Sequence, residues 1–230
     1  MNDLPLRLSD GTLIFLAASL STITTYVLLE QEAWFEKETD FVPLIAKPGM
    51  IVLDIGANVG VYSLALARRV GPTGKVYAYE PAGEPRRLLE KSKEANSAHN
   101  LEIVAAAVSD RTRRAHLEPG ISSELHSLSE NALGESVAVT SLDEEDAIRN
   151  WGSPDFVKID AEGEERRILE GGRGFFTRHS PLVMFEVKAG DVIDKEIPDT
   201  FRALGYGIFR LLPGAPILVP ALPAEPIEAY

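Results

Sequence analysis

Cysteine is absent from the 230 residues of this chain. A disulfide framework, a zinc–thiolate site and a cysteine nucleophile are therefore excluded. A reducing compartment is compatible with this composition, and we expect a cytoplasmic protein. With 45% apolar and 25% charged residues, the chain can bury one core of the size found in an ordinary α/β domain.

Basic residues are few: the chain has 23 of them against 35 acidic residues, which gives a net charge of −12. An acidic protein repels phosphate backbones, and the basic residues form scattered pairs, not a stripe interleaved with aromatic residues. We therefore expect no nucleic-acid partner.

A long unbroken apolar run is also missing. The stretch from Gly11 to Leu29 is about as long as a membrane span, roughly 20 residues, but it contains several Ser and Thr residues and has no basic flank on its amino side. It splits into Leu13–Leu20 and Ile23–Leu29, which favour a soluble strand or helix. Because no positively charged region precedes it, a signal peptide is disfavoured as well, and we expect no membrane segment.

Strand-like and helix-like units alternate between Lys47 and Tyr206, which is typical of a parallel sheet with crossover helices. The units end in two strands close in sequence, 206–211 and 217–219, which indicate an antiparallel edge. We therefore expect a doubly wound, Rossmann-like α/β fold with a mostly parallel, seven-stranded sheet and an antiparallel carboxyl-terminal edge strand. This domain, 47–220, follows a short amino-terminal extension, 1–46, and precedes a proline-rich tail, 221–230.

The strongest local motif is the segment Asp54–Gly60, D-I-G-A-N-V-G, in which a buried strand runs into a tight loop and then a helix. Gly56 and Gly60 permit close backbone approach, and Asn58 tolerates a left-handed conformation. Ligands of open α/β sheets bind at such a turn. The alternative is that the glycines only make a tight strand–helix connection.

Glu80 ends the second strand, 20 residues after Gly60. An acid in this position can accept both hydroxyls of a ribose. The loop reads G-x-N-x-G, whereas G-x-G-x-x-G is the pattern that lets a pyrophosphate rest on the helix end. Asp54 would repel a pyrophosphate but suit a cationic methionyl amine.

The second motif is Phe156–Glu164, F-V-K-I-D-A-E-G-E, another apolar strand that empties into a polar cluster. Strand alternation sends Lys158 and Asp160 to one face, where a cation and an anion could position and deprotonate a substrate hydroxyl. A salt bridge at the end of the strand is the alternative. For Glu164 and Glu165 we favour a structural role at a helix amino end, where the dipole stabilises acids.

Two further residues stay open. Glu186 either joins Asp160 around a metal or the substrate or pairs with Lys188, and His126 is either a general base or a surface residue.

Together, the segments Asp54–Gly60 and Lys158–Glu164 resemble the FkbM family of methyltransferases. The likeness extends to Thr24–Gln31, 34–36, Thr140–Asp143 and Met184–Glu186, and so covers about residues 20–210. The family usually has Val where this chain has Ala161.

The resemblance implies an S-adenosylmethionine-dependent enzyme that methylates hydroxyls of sugars or polyketide-like natural products. The cofactor contacts it implies are Asp54, Gly56, Ala57, Asn58, Gly60, Glu80 and Pro81, with Ser109 and Asp110 near the adenine. It makes Lys158, Asp160 and Glu162 pocket residues. It also implies that the apolar amino-terminal stretch forms a lid over the cofactor, with Tyr26 as a cofactor contact.

We expect Asp160 to act as the base or to orient it. A carboxylate with an ordinary pKa of about 4 is a weak base for an alcohol, so burial or a divalent metal would be needed, and we assign no metal ligand. A nicotinamide-dependent oxidoreductase and a non-catalytic binding module on the same fold are the alternatives. A homodimer through the apolar amino-terminal stretch stays open.

Overall fold

The computed structural model describes residues 3–20, 22–34, 38–119, 126–129, 134–161, 163–185, 196–212 and 217–221. In chain order the elements are β1 (Asp3–Arg7), β2 (Leu13–Ala17), α1 (Ile23–Gln31), α2 (Glu38–Ile45), β3 (Ile51–Ile55), α3 (Val61–Val70), β4 (Lys75–Tyr79), α4 (Gly83–Ala95), β5 (Leu101–Val104), β6 (Ala106–Val108), β7 (Arg113–Pro119), β8 (His126–Ser129), β9 (Glu135–Thr140), α5 (Leu142–Arg149), β10 (Phe156–Ile159), α6 (Glu165–Gly171), α7 (Arg173–His179), β11 (Leu182–Phe185), α8 (Glu196–Ala203), β12 (Phe209–Leu211) and β13 (Leu218–Pro220).

A parallel sheet of five strands lies at the centre, in the order β11-β10-β3-β4-β5. Its middle strand β3 is almost wholly buried, as expected for a parallel sheet covered by helices on both faces. From β3 the chain builds outward through β4 to β5, and then returns to β3's other side with β10. Ligands of such sheets bind at this reversal, beyond the carboxyl ends of the strands.

The prediction of seven strands with an antiparallel edge is not confirmed, because the described part of the central sheet has five strands and all of them are parallel. The apolar segment 101–108 divides at Ala105, so that β5 pairs with β4 while β6 pairs with β9. A second sheet, β6-β9-β7-β8, results, and the terminal pair β12 and β13 forms a sheet of its own. Alternating hydrophobicity marks a strand, but long-range pairing decides which sheet it joins.

Two apolar layers cover the central sheet. On one face α3 contributes Leu64, Leu66 and Val70 to a cluster of mostly aliphatic residues. The other face carries an aromatic cluster built around Phe175, Phe176 and other rings from the carboxyl-terminal half. Helix α5 is capped by Ser141, whose side chain accepts a hydrogen bond from the backbone amide of Glu144, the spacing typical of a capping box.

The amino-terminal hairpin packs against α4 and belongs to the aliphatic cluster. Leu16 is fully buried there. The amides of Leu13 and Phe15 donate to Asn96 Oδ1 at 3.0 Å and to Ser92 Oγ at 2.8 Å. The runs Leu13–Leu20 and Ile23–Leu29, for which the sequence favours a strand or a helix, contain β2 and α1 respectively. Among the described residues no helix is long and apolar enough to cross a membrane.

Replacing Leu16 by alanine tests whether this hairpin stabilises the domain. We expect Leu16→Ala to lower the free energy of unfolding by about 2–5 kcal/mol, because it opens a cavity in the core. The matched variant Leu20→Ala, at a side chain that is 69% exposed, should change it by less than about 0.5 kcal/mol. Urea denaturation gives both values, and equal small effects would show that the hairpin is dispensable to the core.

Candidate functional site

A cleft opens beyond the carboxyl ends of β3, β4 and β10, at the reversal of strand order. Four of its lining residues carry amide or carboxyl side chains, namely Asn58, Glu80, Asp160 and Glu164. The rest of the lining is Ile55, Gly56, Tyr79, Pro81, Ala82, Pro85, Ala106, Ala107, Val108, Leu117, Leu128 and Ala161. Polar and apolar surfaces thus meet in one concave site, which is the usual make-up of a small-molecule pocket.

The loop after β3 is pressed against the backbone that follows β10. Gly56 has φ +79°, and a Cβ built there would lie 1.7 Å from the carbonyl oxygen of Asp160. The amides of Gly56 and Ala57 both donate to the carbonyl oxygen of Tyr79 at 3.0 Å. Asn58 has φ +49°, and Gly60, with φ +95°, precedes the first residue of α3. Only glycine fits at position 56, because any side chain would overlap backbone atoms.

Glu80 closes this loop from the end of β4. Its Oε2 accepts a hydrogen bond from the backbone amide of Asn58, and its Oε1 accepts one from the backbone amide of Ala82, both at 2.8 Å. The side chain is buried, and burial raises its pKa to about 7 despite these two hydrogen bonds. A carboxylate has about four lone-pair sites, so each oxygen can accept one more hydrogen bond on the side of the cleft.

Asp54 lies beneath the loop and is fully buried. Its Oδ2 accepts from Ser63 Oγ at 2.5 Å, and its Oδ1 is 3.8 Å from Lys158 Nζ and has no hydrogen-bond partner in the described part of the chain. Burial raises the pKa of Asp54, while the Lys158 ammonium and the Ser63 hydroxyl oppose the rise. Asp54, predicted as a cofactor contact, is not among the lining residues.

Lys158 lies between the fully buried Asp54 and the half-buried Asp160. Its Nζ lies 3.1 Å from Asp160 Oδ2 and 4.7 Å from the centroid of the Tyr62 ring. Strand alternation predicts the shared face of Lys158 and Asp160, and the structure agrees. Lys158 itself is only 4% exposed, so Asp160 is the member of the pair that can touch a ligand.

Ser109 and Asp110, expected near an adenine, follow the lining residue Val108 but are not themselves among the lining residues. The Asp110 carboxylate pairs with Arg113 at 2.5 Å and lies 3.1 Å from Ser109 Oγ. Burial raises the pKa of Asp110, but these two contacts outweigh it and lower the pKa below its ordinary value. Ser109 Oγ donates to Glu164 Oε2 at 2.5 Å. Glu164 lines the cleft, and sequence reasoning had given it only a structural role at a helix end.

The remaining predicted contacts divide into described and undescribed residues. Pro81 lines the cleft beside Glu80, Ala57 is buried behind the wall, and Tyr26 is exposed on α1 outside the lining. The helix α1 does reach the loop through Thr24, whose Oγ1 accepts from Asn58 Nδ2 at 3.4 Å. Outside the described residues lie Glu162 and Glu186, together with the side chain of His126.

A metal ion was left open by the sequence. Across the ranges that the structure describes, no group of three or more His, Asp or Glu side chains is arranged to hold one.

The contact at Gly56 can be tested against a glycine with the same backbone strain. Gly152 has φ +81° with nothing near a built Cβ, whereas Gly56 has φ +79° and the overlap with Asp160. Gly152→Ala should therefore cost about 1–2 kcal/mol of unfolding free energy, and Gly56→Ala about 1–3 kcal/mol more because of overpacking. If urea denaturation gave equal losses of unfolding free energy for the two variants, the loop after β3 would not be in close contact with the backbone after β10.

Comparison with known proteins connects this site to one family. The model of the Methyltransferase FkbM domain matches residues 54–208. Over 70 residues the chain is 37% identical to the AMB antimetabolite synthetase AmbE of Pseudomonas aeruginosa, a match that spans 30% of this chain and 3% of that protein.

Two solved structures are similar to this chain over most of its length. The methyltransferase FkbM of Methylobacillus flagellatus is 18% identical, with 74% of this chain and 44% of that chain covered and a TM-score of 0.44. Fibrillarin of Aeropyrum pernix, solved with natively bound S-adenosyl-L-methionine, is 16% identical, with 90% and 85% covered and a TM-score of 0.47. This chain thus covers less than half of AmbE and of the Methylobacillus protein. Because the family model matches more than half of its length and includes the cleft loops, the chain belongs to the FkbM methyltransferase family.

Proposed function

We propose that this protein transfers a methyl group from S-adenosylmethionine to a hydroxyl oxygen of a small acceptor, a sugar or a natural product. The observation that carries the proposal is the meeting of Glu80 and Asp160 in one cleft at the reversal of strand order. In this proposal Glu80 holds the ribose and Asp160 holds the acceptor hydroxyl. Family membership supports the methyl transfer itself.

The residues of the cleft fit the cofactor. Glu80 offers free lone pairs to the two ribose hydroxyls. Asn58 Oδ1 is buried without a hydrogen-bond partner in the described part of the chain, and Asn58 lines the cleft, so this oxygen suits the methionyl ammonium. Buried polar atoms are rarely left unsatisfied, which makes Asn58 a natural ligand contact. When bound, S-adenosylmethionine supplies an electrophilic methyl group on a sulfonium ion.

The chain's own part in the reaction is to align the acceptor and remove its proton. Asp160 accepts a hydrogen bond from the acceptor hydroxyl and takes up the proton as the oxygen becomes nucleophilic. Lys158 holds the Asp160 carboxylate from the buried side. Lys158 therefore positions Asp160, and Asp160 contacts the substrate. Glu162 remains a predicted catalytic residue outside the described part of the chain.

The likeness to an antimetabolite synthetase favours a natural-product acceptor over a macromolecule, although it covers only 70 residues. The rival functions are a nicotinamide-dependent oxidoreductase and a non-catalytic module. The loop G-x-N-x-G counts against the first, and the retained Glu80 and Gly60 count against the second. Ligand titration separates all three, because only the methyltransferase binds S-adenosylhomocysteine and not NADH.

Removing Glu80 should abolish most of the cofactor affinity. We expect S-adenosylhomocysteine to bind in the micromolar range and Glu80→Ala to weaken it by roughly tenfold or more, since hydrogen bonds to a charged group contribute about 1.5–3 kcal/mol each. Glu90→Ala, at an exposed acid on α4, serves as the matched control and should bind normally. Isothermal titration measures all three proteins. Absence of heat and of any thermal shift with the unmodified protein would refute the assignment.

Cofactor binding should also depend on pH. The folded-state pKa of Glu80 is about 7, so the carboxylate that accepts the ribose hydroxyls is lost as the pH falls through 7. We expect binding of S-adenosylhomocysteine at pH 5.5 to be roughly ten- to thirtyfold weaker than at pH 8, as linkage to one proton requires. In Glu80→Gln this component should disappear. A Glu80→Gln profile that follows the unmodified protein would assign the titration to another group.

A further inference from the structure

The first turn of α3 carries an aromatic ring, that of Tyr62, which the proposed reaction leaves unused. Tyr62 is buried and is not among the residues that line the cleft. Its ring centroid lies 4.7 Å from the Nζ atom of Lys158. A cation within about 6 Å of the centroid of a tyrosine ring is attracted to the negative face of that ring. Tyr62 therefore contacts the residue that positions Asp160.

The Lys158 ammonium is attracted by two carboxylates at once. Lys158 and Asp54 are paired in register on the neighbouring strands β10 and β3, and Lys158 Nζ lies 3.8 Å from Asp54 Oδ1. Asp160 Oδ2 is closer, at 3.1 Å, and accepts a hydrogen bond from Nζ. Because Lys158 is buried, water screens neither attraction fully. A third contact therefore helps to decide which carboxylate the ammonium serves.

Two adjacent residues of α3 contact the two sides of this ion pair. Ser63 Oγ donates to Asp54 Oδ2 at 2.5 Å, so the buried carboxylate has a hydrogen-bond donor of its own. Tyr62 presents its ring to the ammonium. The helix starts directly after Gly60, and the loop after β3 therefore sets its first turn beside the ends of β3 and β10.

A plain packing role is the alternative for Tyr62, which belongs to the aliphatic cluster. Any apolar side chain of similar volume would serve that role, whereas only a ring face attracts an ammonium. Packing alone predicts that loss of the ring lowers stability and leaves the charge of Asp160 as it was. The two roles therefore differ in a property that can be measured.

We propose that Tyr62 is a positioning residue of the reaction, whose ring face holds the Lys158 ammonium beside Asp160 and so keeps Asp160 an oriented, ionised acceptor for the proton of the substrate hydroxyl. The inference rests on the proposed function and adds to it a residue from outside the lining of the cleft. Tyr62 acts through Lys158 and touches neither the cofactor nor the acceptor.

The test follows the ionisation of Asp160 by NMR and needs no acceptor. The protein carries carbon-13 in its aspartate carboxyl groups, and the Asp160→Asn variant identifies the Asp160 signal by its absence. The pH titration is compared between the unmodified chain, Tyr62→Phe, which keeps the ring, and Tyr62→Leu, which removes it. Tyr77→Leu is the matched control. The Tyr77 ring also has a cation above it, Lys75 at 5.6 Å, but it packs in the aromatic cluster on the other face of the sheet.

Melting curves check that each variant folds. If Tyr62→Leu does not fold, Tyr62→Met removes the ring while its flexible side chain adapts to the space.

We expect the midpoint of the Asp160 titration to rise by about one pH unit in Tyr62→Leu, because a nearby cation lowers the pKa of a carboxyl group by about 1–3 units and a displaced cation lowers it less. Tyr62→Phe and Tyr77→Leu should keep the midpoint of the unmodified protein. In a Lys158→Met background the change Tyr62→Leu should cause no further rise, since Tyr62 acts through the ammonium.

Three results would overturn the inference. The first is a midpoint that Tyr62→Leu leaves unchanged, and the second is a rise that Tyr62→Phe shares, because the ring face would then not be the cause. The third is a further rise in the Lys158→Met background, because Tyr62 would then act on Asp160 by another route.

Titration with S-adenosylhomocysteine separates this inference from the proposed function. Since Tyr62 lies outside the lining of the cleft, we expect Tyr62→Leu to bind this ligand as the unmodified protein does. If the unmodified protein does not bind it, the proposed function fails and the role of Tyr62 in the reaction fails with it, even where the Asp160 midpoint moves. If the unmodified protein binds it and the midpoint stays fixed, only the inference fails.

Discussion

The cleft depends on a buried cation, Lys158, held between two carboxylates and an aromatic ring. Asp54 is fully enclosed and Lys158 nearly so, and without Lys158 the Asp54 carboxylate would be an uncompensated buried charge. Breaking such a pair by removing one partner typically costs about 3–5 kcal/mol. The pair joins the neighbouring strands β3 and β10 at their carboxyl ends, and this is where the chain reverses its direction of growth across the sheet.

The contact between Asp54 and Lys158 also fixes the positions of the loops that follow β3 and β10. Gly56 lets the first loop rest on the backbone of Asp160, and the Asn58 amide draws Glu80 from the next strand into the same site. Three strand ends are thereby fixed relative to one another. Preorganised carboxylates of this kind suit a ligand that carries positive charge and ribose hydroxyls.

The small sheet built from β6 to β9 completes the site from one side. Leu117 and Leu128 reach the cleft from β7 and β8, and Val108 reaches it from β6. The central sheet supplies the polar groups, whereas the small sheet supplies apolar wall. Ser109, at the end of β6, ties the two parts together through Glu164.

Much of this arrangement can be predicted from the sequence. The order of strands and helices, the Ser141 cap, the tight loop after β3 and the pairing of Lys158 with Asp160 all follow from local rules, because periodicity, glycine and strand alternation act over a few residues. The break at Ala105, the five-stranded sheet and the separate terminal hairpin do not, since strand pairing depends on partners far away in the chain. The same holds for the acids. Glu164 and Glu165 are adjacent and chemically alike, and only the contact with Ser109, 55 residues away, turns one of them into the cleft while the other stabilises a helix end.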